Sequence, residues 1–221
     1  MDSRSVINNL VKDVRLEFRN RTAVSISISF ALIVTLASAL AAGGVPLSPP
    51  AAAIFLWIIF FFCAMNGLSH IFLREIERGT RIFLNMNSSP EELLAGKMIF
   101  NVVFFAVIQI IATPAFLFFF QITPADPVLF AASVASGGLA LSTGSTILGA
   151  MAARAGGKGA LFTVISFPVL LPPLWTAISL TKASIEAAGR SYTDSIFFLL
   201  AFSGAVIFIS FIIFRYIWLE E

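Results

Sequence analysis

The sequence is poor in almost everything a soluble enzyme uses. It has one cysteine, one histidine and two tyrosines, and only 12% of its 221 residues are charged. A soluble domain carries roughly a quarter charged residues, so a soluble globule is excluded. The lone Cys63 rules out an internal disulfide and a cysteine-cluster metal site. Set midway in an apolar run, it reads as a buried or lipid-facing thiol. The lone His70 rules out a bis-histidine cofactor site within this chain. It falls at the end of an apolar segment, where an interfacial histidine is ordinary and a haem ligand is the sharper alternative. The run 155–160, AGGKGA, fails the nucleotide-loop pattern, because Ala152 stands where the first glycine belongs and Gly159 follows the lysine. This chain therefore does not hydrolyse ATP through that motif. The net charge of +2 gives no basis for nucleic-acid binding.

What is present is hydrophobic length. Hydrophobic residues fill 58% of positions, 24 of them phenylalanine, and the mean hydropathy is +0.95. A helix needs roughly 20 mostly apolar residues to cross about 30 Å of hydrocarbon. Six segments satisfy this, at 23–42, 51–73, 98–120, 127–151, 160–180 and 195–218. Backbone polar groups must be satisfied within lipid, so these segments are expected to be helices. The shorter alternating segments of a β-barrel are missing. No segment holds a charge in its central third, so nothing suggests an ion relay.

Loop charge orients the segments. Arg4, Lys12, Arg15, Arg19 and Arg21 precede the first. Arg74, Arg78, Arg81 and Lys97 lie between the second and third, Arg154 and Lys158 between the fourth and fifth, and Arg215 near the C-terminus. The opposite side has only Lys182 and Arg190. Basic residues favour the cytoplasm, which predicts that both termini are cytoplasmic. Residues 1–22 are too polar for the core of a signal peptide. Val6, Ile7, Leu10, Val11, Val14 and Phe18 form an apolar stripe there, expected to lie as an elbow helix on the cytoplasmic leaflet. A short soluble helix is the plainer alternative.

The loop 74–97 is the richest polar segment. Glu75, Glu77 and Arg78 cluster before Gly79, and Arg81 precedes Ile82, Phe83, Leu84 and Met86. Apolar anchors beside charges suit docking to a soluble partner; a piece lying flat on the membrane is the alternative. Ser89-Pro90-Glu91-Glu92 is a capping box, which predicts a helix starting near Pro90 and running into the third span. The fourth span repeats small residues at fourfold spacing, Ser133, Gly137, Ser145 and Gly149 with Ser136, Ala140 and Gly144 beside them. That spacing predicts close helix packing. In the fifth span Pro168, Pro172 and Pro173 remove backbone donors, which predicts a broken or sharply kinked helix. Lys182, Glu186 and Arg190 suggest a short outer helix.

These features resemble one family over nearly the whole length: the haem exporter protein B (CcmB) permeases of cytochrome c maturation, of the ABC-2 type. The run from Lys12 to Glu17 is similar to the family's opening. Glu75-x-Glu77-x-Gly79, Ser89-Pro90 and Gly96-Lys97 resemble its loop after the second span, and the run from Phe167 to Pro172 resembles its double-proline stretch. The departures are His70 and Pro173. The resemblance implies an all-α polytopic subunit of the bacterial inner membrane, itself non-catalytic and binding no cofactor alone. It implies ATP on a separate ABC ATPase (CcmA-like) and haem in the complex. The other implied partners are a tryptophan-rich haem-handling subunit (CcmC-like), a small single-span subunit (CcmD-like) and a haem chaperone (CcmE-like). Membrane lipid surrounds the chain, and a homodimer is compatible with the resemblance. ATP hydrolysis would drive release of the haem-loaded chaperone. Two other readings stand beside this one: an ABC-2 exporter of a lipid, drug or polymer, and a scaffold with no moving pathway.

Overall fold

The computed structural model describes residues 3–20, 22–67, 72, 89–154, 159–186 and 192–219, all helical or in short connections with no strand among them. Seven helices follow in order: α1 (Ser3–Asn20), α2 (Thr22–Ala41), α3 (Pro49–Gly67), α4 (Pro90–Phe119), α5 (Pro127–Arg154), α6 (Gly159–Glu186) and α7 (Thr193–Leu219).

Local chemistry sets the boundaries. Gly43 and Gly44 take φ of 61° and 77° between α2 and α3, a left-handed turn that side chains with a Cβ rarely adopt. At the head of α4 the Ser89 hydroxyl accepts from the Glu92 amide at 3.4 Å, and the Glu92 carboxylate accepts from the Ser89 amide at 3.2 Å. Both halves of the expected capping box are therefore made. The head and the third apolar segment form one 30-residue helix, about 45 Å long at 1.5 Å per residue. Asp126 starts α5 by accepting from the Leu129 amide at 2.9 Å, with Pro127 at the first helical position.

One expectation needs correcting. Pro168, Pro172 and Pro173 lie inside α6, which continues as a single helix through all three. The prolines withdraw donors from the ladder without ending it, and the Thr176 hydroxyl donates to the Pro172 carbonyl at 3.0 Å. The expected short outer helix is likewise, as far as Glu186, the tail of α6, where Lys182 and Glu186 pair at 3.8 Å. Arg190 lies outside the described residues.

The central element is α5, which packs against α3, α4, α6 and α7. Its small residues make this possible. A Cβ on Gly137 would collide with the Trp57 ring and with Ala177, and one on Gly144 would collide with Leu170. The close packing expected from the sequence is therefore present. Hydroxyls then tie the interior together. The Trp57 indole donates to Thr181 Oγ1 at 2.8 Å, and Ser133 and Thr181 are 2.8 Å apart. The Ser133 proton is spent on the Phe130 carbonyl at 3.0 Å, so Thr181 donates to Ser133. This chain of bonds links α3, α6 and α5. Asn101 of α4 donates to Thr146 of α5 at 2.8 Å, and Gln109 donates to the Val134 carbonyl at 2.8 Å. Cys63 of α3 is buried against α2, its thiol donating to the Ser27 carbonyl at 3.6 Å.

Outward faces are apolar. Phe118, Phe197, Phe208 and Trp175 are mostly exposed, a distribution that suits lipid rather than water. Among the described residues, α4, α5 and α7 are long and apolar enough to cross a membrane, and shorter apolar stretches lie in α2 and α3.

Candidate functional site

Polar residues converge at one end of the bundle, where α1 meets the head of α4. The two helices pack closely, and α1 touches α4 far more extensively than it touches α2, which follows it directly. Gly96 makes the approach possible: a Cβ there would lie 3.1 Å from Asn9 Cβ and 3.3 Å from the Val6 carbonyl oxygen. Leu93 and Leu94 are buried beneath this contact.

The face of α1 that meets the bundle differs from the apolar stripe read in the sequence. Val6, Asn9, Asp13 and Glu17 are buried, at a spacing of three to four residues, whereas Ile7 and Val11 point outward. The helix turns a mainly polar face to the protein and leaves apolar side chains free. Helical periodicity is visible in sequence, but it cannot tell which face meets protein and which meets lipid.

At the centre of the contact lies Lys97. Its side chain is 0% exposed, and its Nζ is 3.5 Å from Asp13 Oδ2, on a carboxylate that is itself 4% exposed. Lys12 approaches the other Asp13 oxygen at 3.6 Å. Among the described residues Asp13 Oδ2 accepts no hydrogen bond, so its contact with Lys97 is coulombic. Taking two charges out of water is costly, and only their proximity offsets this. Lys97 Nζ also lies over the Phe72 ring, 5.2 Å from its centroid. Phe72 in turn packs against Phe214 of α7 with centroids 5.6 Å apart. Lys97 therefore joins α1, α4 and Phe72, and through Phe72 reaches the last helix.

The residues singled out in the loop, Glu75, Glu77, Arg78, Gly79, Arg81, Ile82, Phe83 and Leu84, lie outside the described residues, as does His70. What the structure describes is both ends of that segment. Phe72 stands before it, and the Ser89 cap and Lys97 stand after it. Pro168, Pro172 and Pro173 are on α6 and belong to no part of this junction. In the sequence Lys97 stands among the orienting loop charges, and Asp13 lies within the run from Lys12 to Glu17. A lysine following a glycine within a helix head was the available signal, but nothing in a single sequence pairs it with Asp13.

Comparison with known proteins supplies the identity. Neither the curated proteins nor the solved structures gave a match. The family model described as CcmB protein matches residues 4–215, which runs from α1 through the junction and into α7. The members are permease subunits of an ABC transporter acting in haem handling and cytochrome c biogenesis, a role generally without catalysis, in a complex with an ATPase. With its apolar helices the chain is a multi-pass membrane protein, and it belongs to the CcmB protein family.

Proposed function

We propose that this chain is the mechanical membrane subunit of an ATP-driven cytochrome c maturation complex. The observation that carries this reading is the family match over residues 4–215. In it, α2 to α7 are six spans, α1 rests on the cytoplasmic leaflet, and both termini are cytoplasmic in the bacterial inner membrane. The excess of basic residues on the α1 side supports this orientation, and the outward Ile7 and Val11 give α1 an apolar edge to lay against lipid.

The loop 74–97 is the coupling element. Glu75, Glu77, Arg78, Gly79, Arg81, Ile82, Phe83 and Leu84 contact the separate ATPase, whose ATP-driven closure pulls the loop. The spans rearrange, and the haem-loaded chaperone is released from a complex containing the haem-handling and single-span subunits. Haem and ATP are held by those partners. Reversing Glu75 and Glu77 together to lysine tests the docking role. The double variant should insert and assemble, but c-type cytochrome yield should no longer follow ATP hydrolysis. Wild-type coupling in that variant would remove the docking assignment.

A second reading, export of a lipid, is favoured by an open groove of about 680 Å³ between α4 and α5, lined largely by apolar side chains including Val102, Leu117, Phe130 and Val134. Full restoration of c-type cytochromes by this chain in cells lacking their own permease would decide against it.

A further inference from the structure

The groove between α4 and α5 opens on the outward face of a membrane protein, at the exposed Ile110, Pro114, Ala131 and Ala135. We propose that it holds one acyl chain of a phospholipid without net charge, whose polar end rests at the turn joining the two helices. This goes beyond the coupling role and stands apart from the export reading, because the lipid stays in place as part of the fold.

A single side chain sets the register of the groove. Gln109 of α4 donates to the Val134 carbonyl of α5 at 2.8 Å, and its amide lies on Gly138, where a Cβ would collide with it. The short connection 120–126 makes the two helices antiparallel. Thr113, one turn past Gln109, therefore stands opposite Phe130, one turn before Val134, and all four line the groove.

The dimensions select a hydrocarbon chain. The lining runs from Val102 to Leu117 on α4 and from Phe130 to Ser142 on α5, about 20 Å along the axis. Spread over that length, the volume of about 680 Å³ leaves a channel roughly 6 Å wide, too narrow for a helix, which with its side chains is about 10 Å across. From Thr113 to Val102 is about 16 Å, the depth of one leaflet in a hydrocarbon core about 30 Å thick.

The polar end lies at the turn. Phe130 is within the first four residues of α5, just after its Asp126 cap, so Thr113 opposite it is near the edge of the hydrocarbon, where a phospholipid carries its ester carbonyls. The Thr113 hydroxyl oxygen is buried and bonds nothing. Threonine on a helix divides between two χ1 positions, and a turn toward the groove lets this hydroxyl donate to an ester carbonyl. A second cavity of about 480 Å³ shares Leu117 with the groove and adds Gln121 and Thr123. Gln121 is held at φ 52°, in the left-handed region that residues with a Cβ seldom take. Among the described residues no charged side chain lines either cavity, which favours a head group of no net charge.

The test uses the assembled complex in membranes loaded with phosphatidylethanolamine that carries a diazirine on one acyl chain. Illumination should place adducts chiefly within residues 102–117 and 130–142. Ala135→Trp, which fills the groove, should abolish them, while Leu200→Trp on the outward face of α7 should not change them. Thr113→Val keeps the shape and should lower them about two- to threefold, the worth of one interhelical hydrogen bond in a membrane. Adducts spread over Phe197, Phe208 and other outward residues in proportion to their exposure would mean fluid lipid only, and would overturn the proposal. Groove adducts in the isolated chain but not in the complex would overturn it too, since a partner subunit would then cover the site. Stronger labelling by phosphatidylglycerol would refute the choice of a neutral head group. If Ala135→Trp does not assemble, the wild-type map and Thr113→Val decide alone. Cytochrome yield enters none of these readouts, so failure of the coupling role or of the export reading leaves the result standing.

Discussion

The interior around α5 and the junction around Lys97 are both buried and both polar, yet they are built in opposite ways. Around α5 the interior links among the described residues are neutral. Small residues let helices approach, and most hydroxyls donate to carbonyls on their own helix, as Thr143 does to Leu139 at 2.8 Å and Thr146 to Ser142 at 2.6 Å. Around Lys97 the key link is a pair of charges from distant parts of the chain. The first arrangement divides its stability over many weak contacts, so each can be lost cheaply. The second concentrates it in a few charges around Asp13.

The comparison can be broken most severely at the junction. Lys97→Met should destabilise the protein by up to about 3–5 kcal/mol, the cost of breaking a buried pair, less whatever the half-exposed Lys12, 3.6 Å from Asp13, still offsets. Unfolding in detergent micelles measures this, and a loss near zero would show that Asp13 is solvated after all. Next comes Gly137→Leu, which pushes a side chain into Trp57 and Ala177. Overpacking of this kind costs about 1–3 kcal/mol, read as a lower midpoint in the same assay. Ser89→Ala should cost about 1 kcal/mol by removing the cap of α4, and amide hydrogen exchange in residues 91–93 should rise. The smallest effect is expected of Thr181→Val. It deletes the hydroxyl between Trp57 and Ser133, yet interhelical hydrogen bonds in membranes average only about 0.6 kcal/mol. A much larger loss there would erase the contrast between the two regions.

How much of this was legible in the sequence follows the same division. Helix positions were readable because lipid permits little else. The capping box at Ser89 and the close packing of α5 each had a local signature, and each is present. The continuity of α6 was not readable. Proline weakens a helix locally, but whether it ends one depends on the packing around it, here with α3, α5 and α7. The orientation of α1 was hidden for a similar reason. Its apolar stripe reads as lying against lipid, and nothing local says that Asn9, Asp13 and Glu17 form the face that packs on the protein. The Asp13–Lys97 pair joins residues far apart in the chain, and no local pattern encodes such a meeting.

The central claim is that force enters this protein on the cytoplasmic side, between the second and third spans. Glu77→Cys in a Cys63→Ala background, labelled with a membrane-impermeant thiol reagent in intact cells and in inverted vesicles, tests it most directly. The account predicts labelling in inverted vesicles alone. Labelling in intact cells would put the segment on the far side of the membrane, out of reach of any cytoplasmic ATPase.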